Sequence, residues 1–320
     1  MKEILKGIFP AVPIPFKKNG ELDEKAQESY IEYMKTQEVS GFAVWVHTGR
    51  GLLITEEQRE YVLKSWREAF PDKLIIAGVG ANIAECLKCD NPEDEYIKRS
   101  LEMAIKAKEL KADAVLVYAP NIFKGNEDLN SKIVSYHKEI AKVGLPVILF
   151  YLYEEAGGIS YSRNVLRELL SIEEVIGIKM ATLDSVMSYQ DTAEFIKKEF
   201  PQKMLITGED RMFGYTLMRG AQGALVGLGA ACGTLQKRMM DAYYNKDFKL
   251  FVELSEKVDK LAECTFVKPM EGYIKRMLTV LNLLGVIPKE STYDLFGPIE
   301  ELDTEEVKKI ESVLKEIGEL

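Results

Sequence analysis

The chain has 320 residues, 47% of them apolar, and a formal net charge of −9 at pH 7. That composition supports a large core, and the charge argues against a nucleic-acid partner. No 18-residue apolar run marks a membrane span, and Met1-Lys2-Glu3-Ile4-Leu5-Lys6 is too short and acidic for a signal peptide, so a cytoplasmic protein is expected.

Taken in order, strand-like apolar runs alternate with segments of helical period. Strands are predicted at about 8–15, 41–46, 73–79, 113–118, 146–151, 175–180, 203–207 and 223–228. Thr55-Glu56-Glu57-Gln58 reads as a capping box, and Val62, Trp66, Ala69 and Phe70 continue at helical spacing. Cys86-x-x-Cys89 is half of a zinc or redox motif. Without a second pair or a histidine cluster it reads, like Cys232 and Cys264, as ordinary reduced thiols. The run at about 86–98 reads as a longer loop or an oligomer contact ahead of a helix at Ser100–Leu110. Further helices are predicted at Lys132–Ala141, Asn164–Leu170 and Val186–Lys198. Eight strand–helix units in succession predict an α/β fold, a closed (β/α)8 TIM barrel. The barrel core is assigned to 1–233, with its eighth helix ending near 245, and a C-terminal helical extension to 246–320.

Chemistry in such barrels sits where the strands end. The sixth strand, Val175-Ile176-Gly177-Ile178-Lys179-Met180-Ala181-Thr182, is β-branched and apolar except for one lysine. Burial disfavours the ammonium form, and a neutral amine in an apolar socket attacks carbonyls to give a Schiff base. The competing reading is a lysine with its head in solvent. The other strand ends hold His47, Thr48 and Arg50, the aromatic stretch Phe150-Tyr151-Leu152-Tyr153, and Thr207-Gly208-Glu209-Asp210. They hold no carboxylate–imidazole set for a metal. Gly227-x-Gly229 and Gly233 suggest a dinucleotide loop, but the spacing is not GxGxxG and lies at the wrong end of the series.

The chain resembles the dihydrodipicolinate synthase and N-acetylneuraminate lyase family of class I, Schiff-base-forming lyases. The likeness rests on Gly7-Ile8-Phe9-Pro10-Ala11-Val12-Pro13-Ile14-Pro15-Phe16, Asn19-Gly20-Glu21-Leu22-Asp23, Gly177-Ile178-Lys179-Met180-Ala181-Thr182, Leu205-Ile206-Thr207-Gly208-Glu209-Asp210 and Gly220-Ala221-Gln222-Gly223. It implies a barrel with a C-terminal helical extension, a homotetramer built as a dimer of dimers, a small 2-oxo acid substrate, and no cofactor beyond the covalent Schiff base on Lys179. It also implies a proton-relaying tyrosine one strand before the lysine. Tyr151, 28 residues ahead of Lys179, is assigned that role and expected to face the same interior, with Tyr153 as a wall residue.

Thr48 is expected to hold the substrate carboxylate through strong, charge-assisted hydrogen bonds. Gly49, Gly208 and Val226 join it in the expected binding wall. His47, where the family has a second threonine, is read as a carboxylate donor, an acid–base group or a packed imidazole. Arg50 reads equally as an anion fork or a surface residue, and His137 as structural. The synthases' arginine is Ala156 here, within Glu154-Glu155-Ala156-Gly157-Gly158, and the fourth-strand tip has Asn121-Ile122-Phe123 in place of a tyrosine pair. Both departures count against lysine-biosynthetic 4-hydroxy-tetrahydrodipicolinate synthase. They favour aldol cleavage, condensation or dehydration of a hydroxylated 2-oxo acid such as a 2-keto-3-deoxy sugar acid, its hydroxyls bonded by Glu154 or Tyr153. The remaining alternative is a non-catalytic metabolite-binding relative.

Overall fold

The computed structural model describes residues 5–183 and 185–320. Eight parallel strands form one sheet: β1 (Gly7–Pro10), β2 (Gly41–Val44), β3 (Leu74–Val79), β4 (Ala114–Tyr118), β5 (Val147–Leu152), β6 (Val175–Ala181), β7 (Met204–Thr207) and β8 (Gly223–Val226). β1 pairs with β8. The ring closes on the other side of β1 by an Ala11–Ala43 bridge and the bond from Val12 N–H to Ala43 O, 3.1 Å. All eight strands thus lie where the apolar runs predict them, as a TIM barrel. β1 is shorter than expected because the chain beyond Pro10 leaves the ladder and makes only isolated bridges at Ala11 and Phe16.

The connecting helices are α1 (Glu24–Lys35), α2 (Glu56–Ala69), α3 (Ile83–Cys86), α4 (Pro92–Glu109), α5 (Leu129–Ala141), α6 (Arg163–Leu170), α7 (Val186–Glu199), α8 (Phe213–Met218) and α9 (Gly233–Tyr244). Thr55 and Gln58 form the predicted reciprocal capping box at α2. α4 starts eight residues before the expected Ser100. Pro92 occupies its first turn, where a missing N–H costs nothing, and Glu93, Asp94 and Glu95 face the positive end of the helix dipole. Most of the run at 86–98 is therefore helix rather than loop. The barrel is followed by α10 (Phe248–Thr265), α11 (Tyr273–Leu283) and α12 (Thr304–Ile317).

Alternation along the strands divides the core in two. Phe9, Ile76, Leu116, Ile148, Phe150 and Ile206 fill the barrel interior, whereas Val44, Val79, Val117, Leu149, Tyr151 and Met180 pack outward against the helices. His137 lies in the outer layer, fully buried, with Nδ1 bonded to Ile133 O at 2.8 Å and its pKa pushed down to about 4 by burial. The four cysteines are free thiols, and no cluster of metal ligands occurs among the described residues.

One buried ion pair ties the barrel to the extension. Arg50 Nε and NH2 donate to Asp294 at 3.1 and 2.7 Å, with side chains 7% and 1% exposed. Removing one member of such a pair strands the other charge. Asp294→Ala is expected to lower unfolding stability by about 3 kcal/mol, read from urea denaturation.

Candidate active site

Lys179 sits near the C-terminal end of β6, in register with Phe150 of β5 and Ile206 of β7. Residues in register on parallel strands point to the same face, so the lysine enters the barrel interior between two apolar neighbours. Its residue exposure is 7%. The Nζ atom lies 4.0 Å from the centre of the Phe150 ring. Gly208, just beyond β7, makes room for the stem: a Cβ there would overlap Lys179 Cε and come within 2.9 Å of Met180 O.

Burial pushes the Lys179 amine down to about 8, against the opposing charges of Asp210 and Glu209. The same burial pushes both acids up to about 7. Each acid is held in place by the backbone. Glu209 Oε1 accepts from Thr182 N–H and, at 2.8 Å, from its hydroxyl. Asp210 Oδ1 accepts from Leu228 N–H at 2.7 Å. An amine and two acids that change charge close to neutrality share one cavity of about 1200 Å3.

The mouth of that cavity is built partly by the extension. Glu271, ahead of α11, accepts from His47 Nε2 at 2.7 Å, Arg50 NH1 at 3.0 Å and the Tyr153 hydroxyl at 2.9 Å. Burial alone would raise its pKa. The hydrogen bond and charge of His47, followed by Arg50, outweigh that and hold the carboxyl down to about 2. Thr48 Oγ bonds the Tyr273 hydroxyl at 2.9 Å. Gly227 also faces this cavity, and a Cβ on it would meet Tyr273 at 2.8 Å and Phe266 at 3.1 Å. This glycine serves close packing of the extension rather than a dinucleotide.

Lys179, Thr48, His47, Tyr153 and Gly208 are brought together around this cavity. The expected interior position of Tyr151 is corrected. Tyr151 pairs with the outward-facing Met180 and packs edge-on against Tyr161, ring centres 5.7 Å apart, while Phe150 takes the place beside Lys179. The register explains this. Val147 pairs with Val175, 28 residues on, but a bulge then shifts Ile148 to Gly177, so the partner of Lys179 moves back to Phe150.

Val226 is likewise outside the cavity, fully buried in the outer core, with its neighbour Gly227 facing inward. Gly49 is buried in the turn after β2 and spends its N–H on Val46 O at 3.0 Å. Glu154 is turned away onto Lys124 at 2.8 Å, and Glu155 is the acid of that loop that lines the cavity. Glu209, Asp210, Glu271 and Tyr273 carry most of the site's polar chemistry and were not assigned to it from sequence. The two acids of the Gly208-Glu209-Asp210 strand end were signalled by position alone.

A desolvated amine on β6, opening on a large cavity at the C-terminal face of a (β/α)8 barrel, has the design of a Schiff-base-forming lyase. The chain belongs to the Dihydrodipicolinate synthetase family, whose model matches residues 4–317. Enzymes of this family work through a Schiff base on an active-site lysine, without a metal or other cofactor. The same fold is seen in dihydrodipicolinate synthase from Thermotoga maritima, at 22% identity over 99% of this chain and 100% of that one, TM-score 0.84. N-acetylneuraminate lyase from Mycoplasma synoviae matches at 24% identity over 98% and 99%, TM-score 0.78. An E. coli prophage protein of the dihydrodipicolinic acid synthase family, solved with pyruvate, matches at 19% identity over 98% of each chain, TM-score 0.83.

Two outcomes follow from the geometry. Gly208→Ala is expected to leave the circular dichroism spectrum unchanged while lowering borohydride-trapped pyruvate adduct by about tenfold or more, because the methyl group displaces the lysine stem. The rate of wild-type adduct formation is expected to rise with pH through a single ionisation near 8 and then level off. A rise continuing towards the 10.4 of a free lysine would show that the amine is not desolvated.

Proposed function

We propose that the protein is a lyase that forms a Schiff base between Lys179 and the ketone of pyruvate or a related 2-oxo acid. The observation carrying this reading is the buried Lys179 amine, its pKa brought down to about 8, facing a cavity with two titratable acids. The neutral amine attacks the carbonyl carbon, the resulting carbinolamine loses water, and the iminium draws electrons from the neighbouring carbon. Loss of a proton or cleavage of a C–C bond there gives the enamine. Aldol cleavage, condensation and dehydration share these steps.

Proton movement is assigned to Asp210 with Glu209 behind it. They occupy the same cavity as the amine, they titrate near 7, and the side chain beside the amine is a phenyl ring rather than a phenol. Thr48 is assigned to the substrate carboxylate as a hydroxyl donor. His47 and Tyr153 are read as positioning residues, both held on Glu271. The lysine-biosynthetic alternative is not favoured. Ala156 offers no charge, and Arg50, which lines the same side of the mouth, is already held by Glu271 and Asp294.

A homotetramer is proposed from the resemblance, supported by exposed apolar side chains such as Leu87 and Met187 at 61% and 74%. A cytoplasmic location is supported by the four free thiols.

The test is borohydride reduction in the presence of pyruvate, followed by peptide mass mapping. An adduct is expected on Lys179 and none on Lys179→Ala, which also loses turnover while keeping its fold. Absence of an adduct with any of several 2-oxo acids would instead indicate a metabolite-binding protein.

A further inference from the structure

A second cavity, of about 240 Å3, opens beside the first on the β2–β5 side of the barrel mouth. The two share Val46, His47, Phe150 and Leu152, so the side cavity begins at the ring on which the Lys179 amine rests. Its wall is formed largely by Leu52, Leu53, Ile83, Leu116 and Tyr118. Several of the polar atoms reaching it already have partners within the protein, leaving the Tyr118 hydroxyl and the Asn82 amide nitrogen. His47 and Arg50 are bonded to Glu271, Arg50 also to Asp294, and Asn82 Oδ1 accepts from Ala84 N–H at the start of α3.

We infer that the portion of the 2-oxo acid lying beyond the reacting carbons is uncharged and apolar, and that it lodges in this side cavity. The inference rests on the lyase reading and names its substrate class. Two independent observations carry it. The first is size and lining: about 150 Å3 of apolar space accommodates benzene in a protein interior, so this cavity takes an aryl or branched alkyl group. A polyhydroxylated tail entering it gives up more hydrogen bonds to water than the Asn82 amide nitrogen and the Tyr118 hydroxyl can replace.

The second observation is charge. The imidazole and guanidinium that would attract a distal carboxylate converge on Glu271, whose ionised carboxylate fills that position as an internal anion. Glu155 lines the main cavity as well. A second acidic group entering the side cavity therefore meets a guanidinium and an imidazole already neutralised by Glu271, whereas Arg211 and Lys268 line only the main cavity.

The experiment measures borohydride trapping on Lys179 against concentration for three 2-oxo acids that differ only beyond the reacting centre: 2-oxo-4-phenylbutanoate, 2-keto-3-deoxygluconate and 2-oxoglutarate. It depends on Schiff-base formation alone, so it serves whether the later step is aldol cleavage or dehydration. The phenyl compound is expected to half-saturate at a concentration at least about tenfold below the other two, a gap of about 1.4 kcal/mol. Leu53→Asp, at a rim position 39% exposed, is expected to erase most of that advantage. Equal or tighter trapping of the hydroxylated or dicarboxylic compound would overturn the inference. So would an unaltered preference in Leu53→Asp. Pyruvate is included as a fourth compound: if none of the four gives an adduct the lyase reading itself fails, whereas adducts with the reverse preference remove only the apolar-tail assignment.

Discussion

The site depends on one constraint, the register that sets Lys179 between Phe150 and Ile206 inside the barrel. A lysine so placed loses most of the hydration of its ammonium. The protein returns some of it through the face of the Phe150 ring and the two acids beyond β7. The amine is thus kept close to neutrality instead of at the value of a solvated lysine. Gly208 is part of the same constraint, because a side chain there would overlap the stem. A residue one place along the strand would face the helices, where Met180 and Tyr151 pack, and would meet no substrate.

The barrel does not complete the site alone. Glu271 and Tyr273 come from the helical extension and reach back more than 220 residues to His47 and Thr48. Glu271 organises the mouth because it satisfies an imidazole, a guanidinium and a phenol with two oxygens. Charge-assisted hydrogen bonds of this kind are the strong ones, and together they stop these donors from wandering. Asp294 holds the other edge of Arg50. The extension thereby fixes which positive groups remain free for a ligand, and in this network both are taken.

The architecture was legible because each barrel strand carries an unbroken apolar run and each helix its own period. Lys179 stood out as the single charge in such a run. Tyr151 was misplaced for a definite reason. Counting residues between two strands assumes an unbroken ladder, and the bulge after Val147 adds one residue to β6, which exchanges inside for outside. A shift of one residue reverses the face of every later side chain, and nothing in a run of β-branched residues announces it. Glu271 was hidden by distance along the chain. In sequence it is one acid among 51 acidic residues, and only the packing of α10 and α11 on the barrel brings it over the cavity. The start of α4 was missed because Asn91 and Pro92 are loop formers and helix starters alike.

The acid–base properties of the three buried groups also bear on stability, and their signs oppose one another. Asp210 and Glu209 have folded pKa values near 7, above their ordinary 3.8 and 4.5. The folded chain therefore holds more protons than the unfolded one between about 4 and 7, and stability falls as pH rises through that window. Lys179 has a folded value near 8, below its ordinary 10.5. The unfolded chain then binds the extra proton between about 8 and 10.5, so stability recovers as pH rises there. The two effects leave their combined minimum between about 7 and 8. Free amine and ionised acids predominate together only above about 8, on the alkaline side of that minimum. All three buried groups therefore cost stability near neutral pH, and burial at the cavity, which shifts each of them towards neutrality, is the common cause.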